Sequence, residues 1–154
     1  MAGTEMNEHE IAEMVGASIE ALYDEELDLL RIDAGERAIC AQLRAILQRS
    51  FPAHRVHAEY NRHGILPKEI EMPDAEGVPT LTRVFPDIIV HEPYHDDENL
   101  LVIEAKKSTN PIGDDADLAK LTQMKHQLGY EFAAFIRLSS GPKADLGNVQ
   151  VLWV

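Results

Sequence analysis

The chain has 154 residues and a mass of 17.2 kDa, about one domain's worth, enough to bury roughly two-thirds of its unfolded surface. Hydrophobic residues at 45% and charged residues at 27% exclude a disordered chain, and the single cysteine, Cys40, excludes an internal disulfide framework and fits a reducing compartment. No apolar run approaches the ~18 residues of a membrane span and MAGTEMNEHE lacks a signal-peptide pattern, so a cytoplasmic protein is expected.

The net charge of −13 is unevenly spread. Residues 1–30 carry nine acids and no Lys or Arg, whereas the rest of the chain is nearly balanced at −4. The acidity is a local property of the N-terminal segment, and it does not by itself exclude a phosphate substrate.

Asn7 to Leu30 has the pattern of an amphipathic helix, with Asn7 and Glu10 as a capping pair. Ile11, Met14, Val15, Ser18, Ile19, Leu22, Glu26 and Leu29 trace one face, expected to pack on the protein's own core ahead of a partner. A second helix is expected to start at an Asp33 cap and run to about Arg49, before Phe51-Pro52. Ile39, Cys40, Leu43, Ile46 and Leu47 form its inward stripe, which Glu36 either extends or serves only as part of the cap. The period then switches to two. Arg55–Asn61 alternates as a half-buried strand, and Arg62–Thr80, rich in Gly and Pro, suggests a long turn or loose hairpin.

Val84–Val90 and Leu100–Lys106 are nearly continuous apolar runs, as in strands covered on both faces, with an acidic loop between them. Asp114 or Asp115 caps a further helix ending near Gly129, with Leu118, Leu121, Met124 and Leu128 inward. Glu131–Leu138 and the terminal VQVLWV are the last strands. The order predicts one α/β domain with a mixed central sheet.

Two of these apolar strands carry charges that are costly to bury unless paired or metal-bound: Asp87 in the first, Glu104 and Lys106 in the second. Strand alternation puts Glu104 and Lys106 on one face, about 6.5 Å apart, and turns Ala105 the other way with its carbonyl near the same edge. Asp87, Glu104 and the Ala105 carbonyl make a hard, all-oxygen set suited to Mg²⁺ or Mn²⁺. A lysine beside such an ion can orient or deprotonate a water and balance charge on a phosphate. Glu36 could accept a metal-bound water or help hold a second ion.

Pro86-Asp87 on one strand, Glu104-Ala105-Lys106 ending the next with sixteen residues between the two acids, and the helical Glu36 upstream resemble the PD-(D/E)XK, or restriction-endonuclease-like, nuclease superfamily. The resemblance covers residues 33–138. It implies an αβββαβ core with a mixed sheet flanked by helices, to which the acidic N-terminal helix (1–31) and a last strand (149–154) are additions. It also implies a metal-dependent phosphodiesterase cutting nucleic acid, DNA ahead of RNA, with Asp87 and Glu104 as metal ligands and Lys106 as the water-activating residue. Gln123 occupies the helix position where many members place a polar residue facing the site. The QxxxY pattern of recombination-type members is absent, because Tyr130 follows Gln127 by three.

Glu59 rivals Glu36 as a third acid. Lys107 is expected on the face opposite Lys106. Arg55, Arg62, Lys68 and Arg83 are expected as scattered surface bases, and no recognition helix is visible. His91 and His95 have HxxxH spacing in a proline-containing loop, where zinc is not expected. Lys120 shares a helix face with Gln123, where a place at the site and solvent exposure explain it about equally well. Affinity for a nucleic acid would come from a homodimer or a protein partner subunit. The alternative function keeps this fold without its chemistry, as a binding or assembly module that uses the acidic helix.

Overall fold

The computed structural model describes residues 5–58, 69–92 and 99–154. Helix α1 (Glu8–Glu25) begins as its sequence dictates: Asn7 Oδ1 accepts from the Glu10 N–H at 2.9 Å, and Asn7 Nδ2 donates to Glu10 Oε1. The helix does not continue unbroken to Leu30. It stops at Glu26 and resumes as the short α2 (Leu27–Arg31). Tertiary bonds fix the end of α2: the Leu30 carbonyl accepts from Gly141 N–H at 2.9 Å and from Ser140 Oγ, while the Leu30 side chain is fully buried.

Helix α3 (Glu36–Ser50) buries the stripe expected of it, Ile39, Cys40, Leu43, Ile46 and Leu47. Its cap is not Asp33. Gly35 is the N-cap residue, and Asp33, at φ 55°, turns its carboxylate to Lys107 Nζ (3.1 Å), Thr109 Oγ1 (2.8 Å) and Ser140 Oγ (2.7 Å). Those three donors hold the Asp33 carboxyl below its ordinary range. Three tertiary bonds outcompete one local cap.

The main sheet is built from β1 (Arg55–Ala58), β4 (Ile88–His91), β5 (Asn99–Lys107), β6 (Phe132–Leu138) and β7 (Gln150–Trp153), in spatial order β1-β4-β5-β6-β7. It is mixed: β5 and β6 pair parallel through the crossover helix α4 (Asp115–Leu128), and every other neighbour pair is antiparallel. Helix α4 closes at Gly129 in the left-handed region, φ 73°, where a residue without Cβ is favoured. The strand expected from Val84 pairs only from Ile88 onward; Pro86 has no N–H to give a ladder.

The loose segment around residue 75 is a regular hairpin, β2 (Glu69–Pro73) with β3 (Pro79–Arg83). Its turn is organised by Asp74 Oδ1, which accepts from the N–H groups of Glu76 and Val78. Residues 59–61 of the first expected strand, with Glu59, lie outside the described residues, as do Arg62, His63, Lys68 and His95.

Two apolar layers enclose the sheet. On one face α1 and α3 pack Ile11, Val15, Leu22, Leu43 and Leu47 against Ile88, Val90, Leu101, Ile103 and Ala105. On the other, Leu121 and Met124 of α4 and Ile70 of β2 meet Ile89, Val102, Ala133 and Phe135. The acidic N-terminal helix is therefore part of the core along its apolar face, with its acids outward. Among the described residues no helix is long and apolar enough to cross a membrane.

Buried Tyr23 ties α1 to the end of β6, its hydroxyl donating to the Ser139 carbonyl at 2.6 Å. Tyr23→Phe is expected to cost about 1 kcal/mol, seen as a lower urea midpoint at an unchanged m value. An unshifted midpoint would show that solvent replaces the bond without loss.

Candidate active site

Strand alternation in β5 sends Leu101, Ile103 and Ala105 to the α1–α3 layer, and Val102 with Glu104 and Lys106 to the α4 layer. The antiparallel register pairs Ile88 with Ile103 and Ile89 with Val102, so one further step sets Asp87 opposite Glu104. Two carboxyls directly across from each other on one face repel. Both are withdrawn from water, Glu104 being only 4% exposed, and they lie within hydrogen-bonding reach of each other. Asp87 Oδ2 accepts the Ala105 N–H at 2.8 Å.

Burial, then the Asp87 charge, push the Glu104 carboxyl up to about 9, and burial also raises Asp87 above its ordinary value. With both carboxyls shifted upward, the pair favours a shared proton when no metal ion is bound.

The cation that meets this pair comes from α4. Lys120 Nζ lies 3.2 Å from Glu104 Oε1 and 4.0 Å from Asp117 Oδ1. The Lys120 contact is an ion pair without hydrogen-bond geometry: buried Glu104 Oε1 has no hydrogen-bond partner among the described residues. Lys106, on the same face as Glu104 as expected, is turned to Asp117 Oδ2 at 2.5 Å and to the Gly113 carbonyl at 3.3 Å. The charges thus run as a chain, Asp87, Glu104, Lys120, Asp117, Lys106. Three acids face two lysines, and one proton on the Asp87–Glu104 pair brings the set to neutrality.

Glu36 does reach the neighbourhood. Its Oε1 accepts the Lys107 N–H at 3.1 Å and Asn110 Nδ2 at 2.9 Å, fastening the start of α3 to the end of β5, and its charge contributes to the rise of Asp87. A cavity of about 310 Å³ lies between α3 and the sheet, lined by Glu36, Arg37, Cys40, Ala41, Ala58 and Asp87. Asp87 therefore borders both the carboxyl pair and an opening large enough for a small ligand.

The side chains of two expected site residues are engaged elsewhere than at the Asp87–Glu104 pair. Gln123 does not turn to the acids; its Oε1 accepts from Gln127 Nε2, which with Gln127 Oε1 clasps the Glu71 backbone and docks the hairpin on α4. Lys106 is held by Asp117, a half-buried carboxylate in the first turn of α4. Lys107 does point to the opposite face, to Asp33 at 3.1 Å.

Asp117 and Lys120 are the site residues that sequence reasoning missed as a pair. Each stands four residues before an inward apolar residue, Leu121 and Met124, and that spacing was the available signal. Away from the site, His57 Nδ1 and His91 Nε2 lie 2.8 Å apart across β1 and β4, and Arg83 pairs loosely with Glu69 at 3.8 Å.

The donor set bears on a metal. Mg²⁺ is bound through one or two carboxylates, with waters completing its shell, and half-buried Asp87 and buried Glu104 supply two adjacent carboxyls with hard oxygens. A divalent ion would replace the shared proton and remove the like-charge penalty. The residues fit such an ion, although no group of three or more His, Cys, Asp or Glu gathers as a metal cluster among the described residues. No protein-family model, curated protein or solved structure matches this chain.

Proposed function

We propose that the protein is a metal-dependent nuclease with a restriction-endonuclease-like core, hydrolysing phosphodiester bonds of nucleic acid, DNA ahead of RNA. One observation carries the reading: half-buried Asp87 and buried Glu104 stand side by side, where the start of β4 meets the end of β5, next to a cavity. The run α3, β1, β4, β5, α4, β6 also follows the αβββαβ order, with the hairpin β2–β3 inserted.

In this reading Asp87 and Glu104 hold Mg²⁺ or Mn²⁺. A bound ion would polarise the phosphate and make its water more acidic. The Ala105 N–H orients Asp87, Glu36 pins the end of β5, and an ammonium beside Glu104 offsets charge gathering on the phosphoryl oxygens.

A second reading, a binding or assembly module with the acidic outer face of α1 as its contact surface, is favoured by one observation. The lysine that the motif assigns to catalysis is committed to Asp117. A cleavage panel separates the two. Linear, circular, branched and single-stranded substrates are incubated with Mg²⁺ or Mn²⁺, with Glu104→Ala as control, and Mn²⁺ binding is followed by calorimetry. The nuclease reading expects cleavage that falls by ~100-fold or more in the control. Intact substrates throughout, with no binding heat at millimolar Mn²⁺, would favour the module.

A further inference from the structure

We propose that Lys120, reaching in from α4, is the cation that serves the Asp87–Glu104 pair, and that Lys106 is a positioning residue that braces α4 through Asp117. This rests on the nuclease reading and specifies the machinery of the same site.

The two lysines are distinguished by what each would have to give up. Lys106 Nζ has a carboxylate oxygen at 2.5 Å and a carbonyl at 3.3 Å, and its side chain and that of Asp117 are each only 14% exposed. Moving Lys106 toward a substrate would leave the Asp117 carboxylate buried without its closest counter-charge, a large penalty. Lys120 is 33% exposed, touches Glu104 at 3.2 Å and is only at the margin of contact with Asp117, at 4.0 Å. Its four-carbon stem lets the ammonium swing from the carboxyl toward solvent, from which a phosphodiester arrives, and buried Glu104 is then balanced by the metal ion it would hold.

Helix geometry makes the exchange self-consistent. Asp117 and Lys120 are three residues apart, so one turn of α4 carries both the group that captures Lys106 and the group that stands in its place. The start of that turn is held in place by Arg137, which binds Asp114 and the carbonyls of Asn110 and Ile112.

In the hydrolysis the water oxygen bonds phosphorus while the bond to the leaving oxygen breaks. The electron pair stays on the leaving oxygen, which takes a proton from solvent, and the attacking water releases one to solvent. Lys120 takes no part in the proton transfers and balances charge on the phosphoryl oxygens.

The test compares Lys120→Met, Lys120→Arg and Lys106→Met in the full chain, each checked for folding by circular dichroism. Readouts are Mn²⁺ affinity by calorimetry, and kcat and KM on whichever substrate the unaltered protein cuts. Lys120→Met is expected to lower kcat by ~100-fold with KM little changed, and Lys120→Arg to restore a large part by keeping the charge. Lys106→Met is expected to lose less activity than Lys120→Met. Removing the cation that competes for Glu104 should also tighten Mn²⁺ binding in Lys120→Met by about tenfold, with no such gain in Lys106→Met.

A deeper loss in Lys106→Met than in Lys120→Met, or unchanged Mn²⁺ affinity in Lys120→Met, overturns the inference and leaves the nuclease reading standing. An unaltered protein that binds Mn²⁺ but cuts no substrate overturns the nuclease reading instead, and the affinity comparison still decides whether Lys120 is the partner of Glu104.

Discussion

Glu104→Gln is expected to stabilise the metal-free protein at pH 8, to change it little at pH 5, and to remove Mn²⁺ binding. The sign follows from the carboxyl pair. Glu104 is raised from its ordinary value of 4.5 to about 9, so between those values the folded chain holds a proton that the unfolded chain has released. Stability is then highest below the unfolded value and falls as pH rises toward the folded one, by up to ~1.4 kcal/mol per pH unit. The raised Asp87 acts in the same direction.

Glutamine has the shape of the neutral acid, can donate to Asp87, and cannot ionise, so the part of this slope due to Glu104 disappears in the variant. Urea unfolding in chelator at pH 5 and pH 8 measures it. Midpoints of the unaltered protein and the variant that run parallel across the two pH values would show that Glu104 ionises in the folded chain as easily as in water. A gain in stability coupled to a loss of ion binding is the signature of a site that trades stability for function.

Arg137→Ala is expected to produce the largest stability loss of any single polar substitution proposed here, about 3 kcal/mol. The guanidinium donates to the carbonyls of Lys107 (3.0 Å), Asn110 (3.0 Å) and Ile112 (2.9 Å), binds the Asp114 carboxylate, and stacks 5.6 Å from the Phe135 ring centroid. Residues 108–114 have no helix or strand of their own to satisfy these groups. One fork of donors replaces a ladder. Arg137→Lys should recover only a minor part, because an ammonium cannot address three carbonyls and a carboxylate in one plane. Denaturant titration of the three proteins checks this. Equal midpoints for Lys and Arg would reduce the interaction to simple charge. The segment delivers the first turn of α4, so the same substitution should also loosen Asp117 and Lys120.

Much of the architecture was legible because it is local. Asn7 with Glu10 marks a helix start within one turn, Gly129 marks a helix end, and the three- and four-residue spacing of Ile39, Leu43 and Leu47 names the buried stripe of α3 before any neighbour is known. Asp87 and Glu104 stood out because a charge in an apolar strand is costly. Partnership was not legible. Sixteen intervening residues do not state a register, and only the pairing of Ile88 with Ile103 brings the two carboxyls together. Asp33 had the composition of a cap and became a receiver for Lys107, Thr109 and Ser140, residues 74 or more positions away.

The main helices and the strands of the central sheet, their inward faces and the two misplaced acids came from the sequence alone, since each depends on neighbours within a few residues along the chain; the break after α1 and the β2–β3 pairing did not. Which lysine meets which acid was decided only when α4 settled across β5. Ion pairs select by distance through space, and the nearest carboxylate to Lys106 belongs to a helix that begins after a turn with no periodic pattern to predict its path.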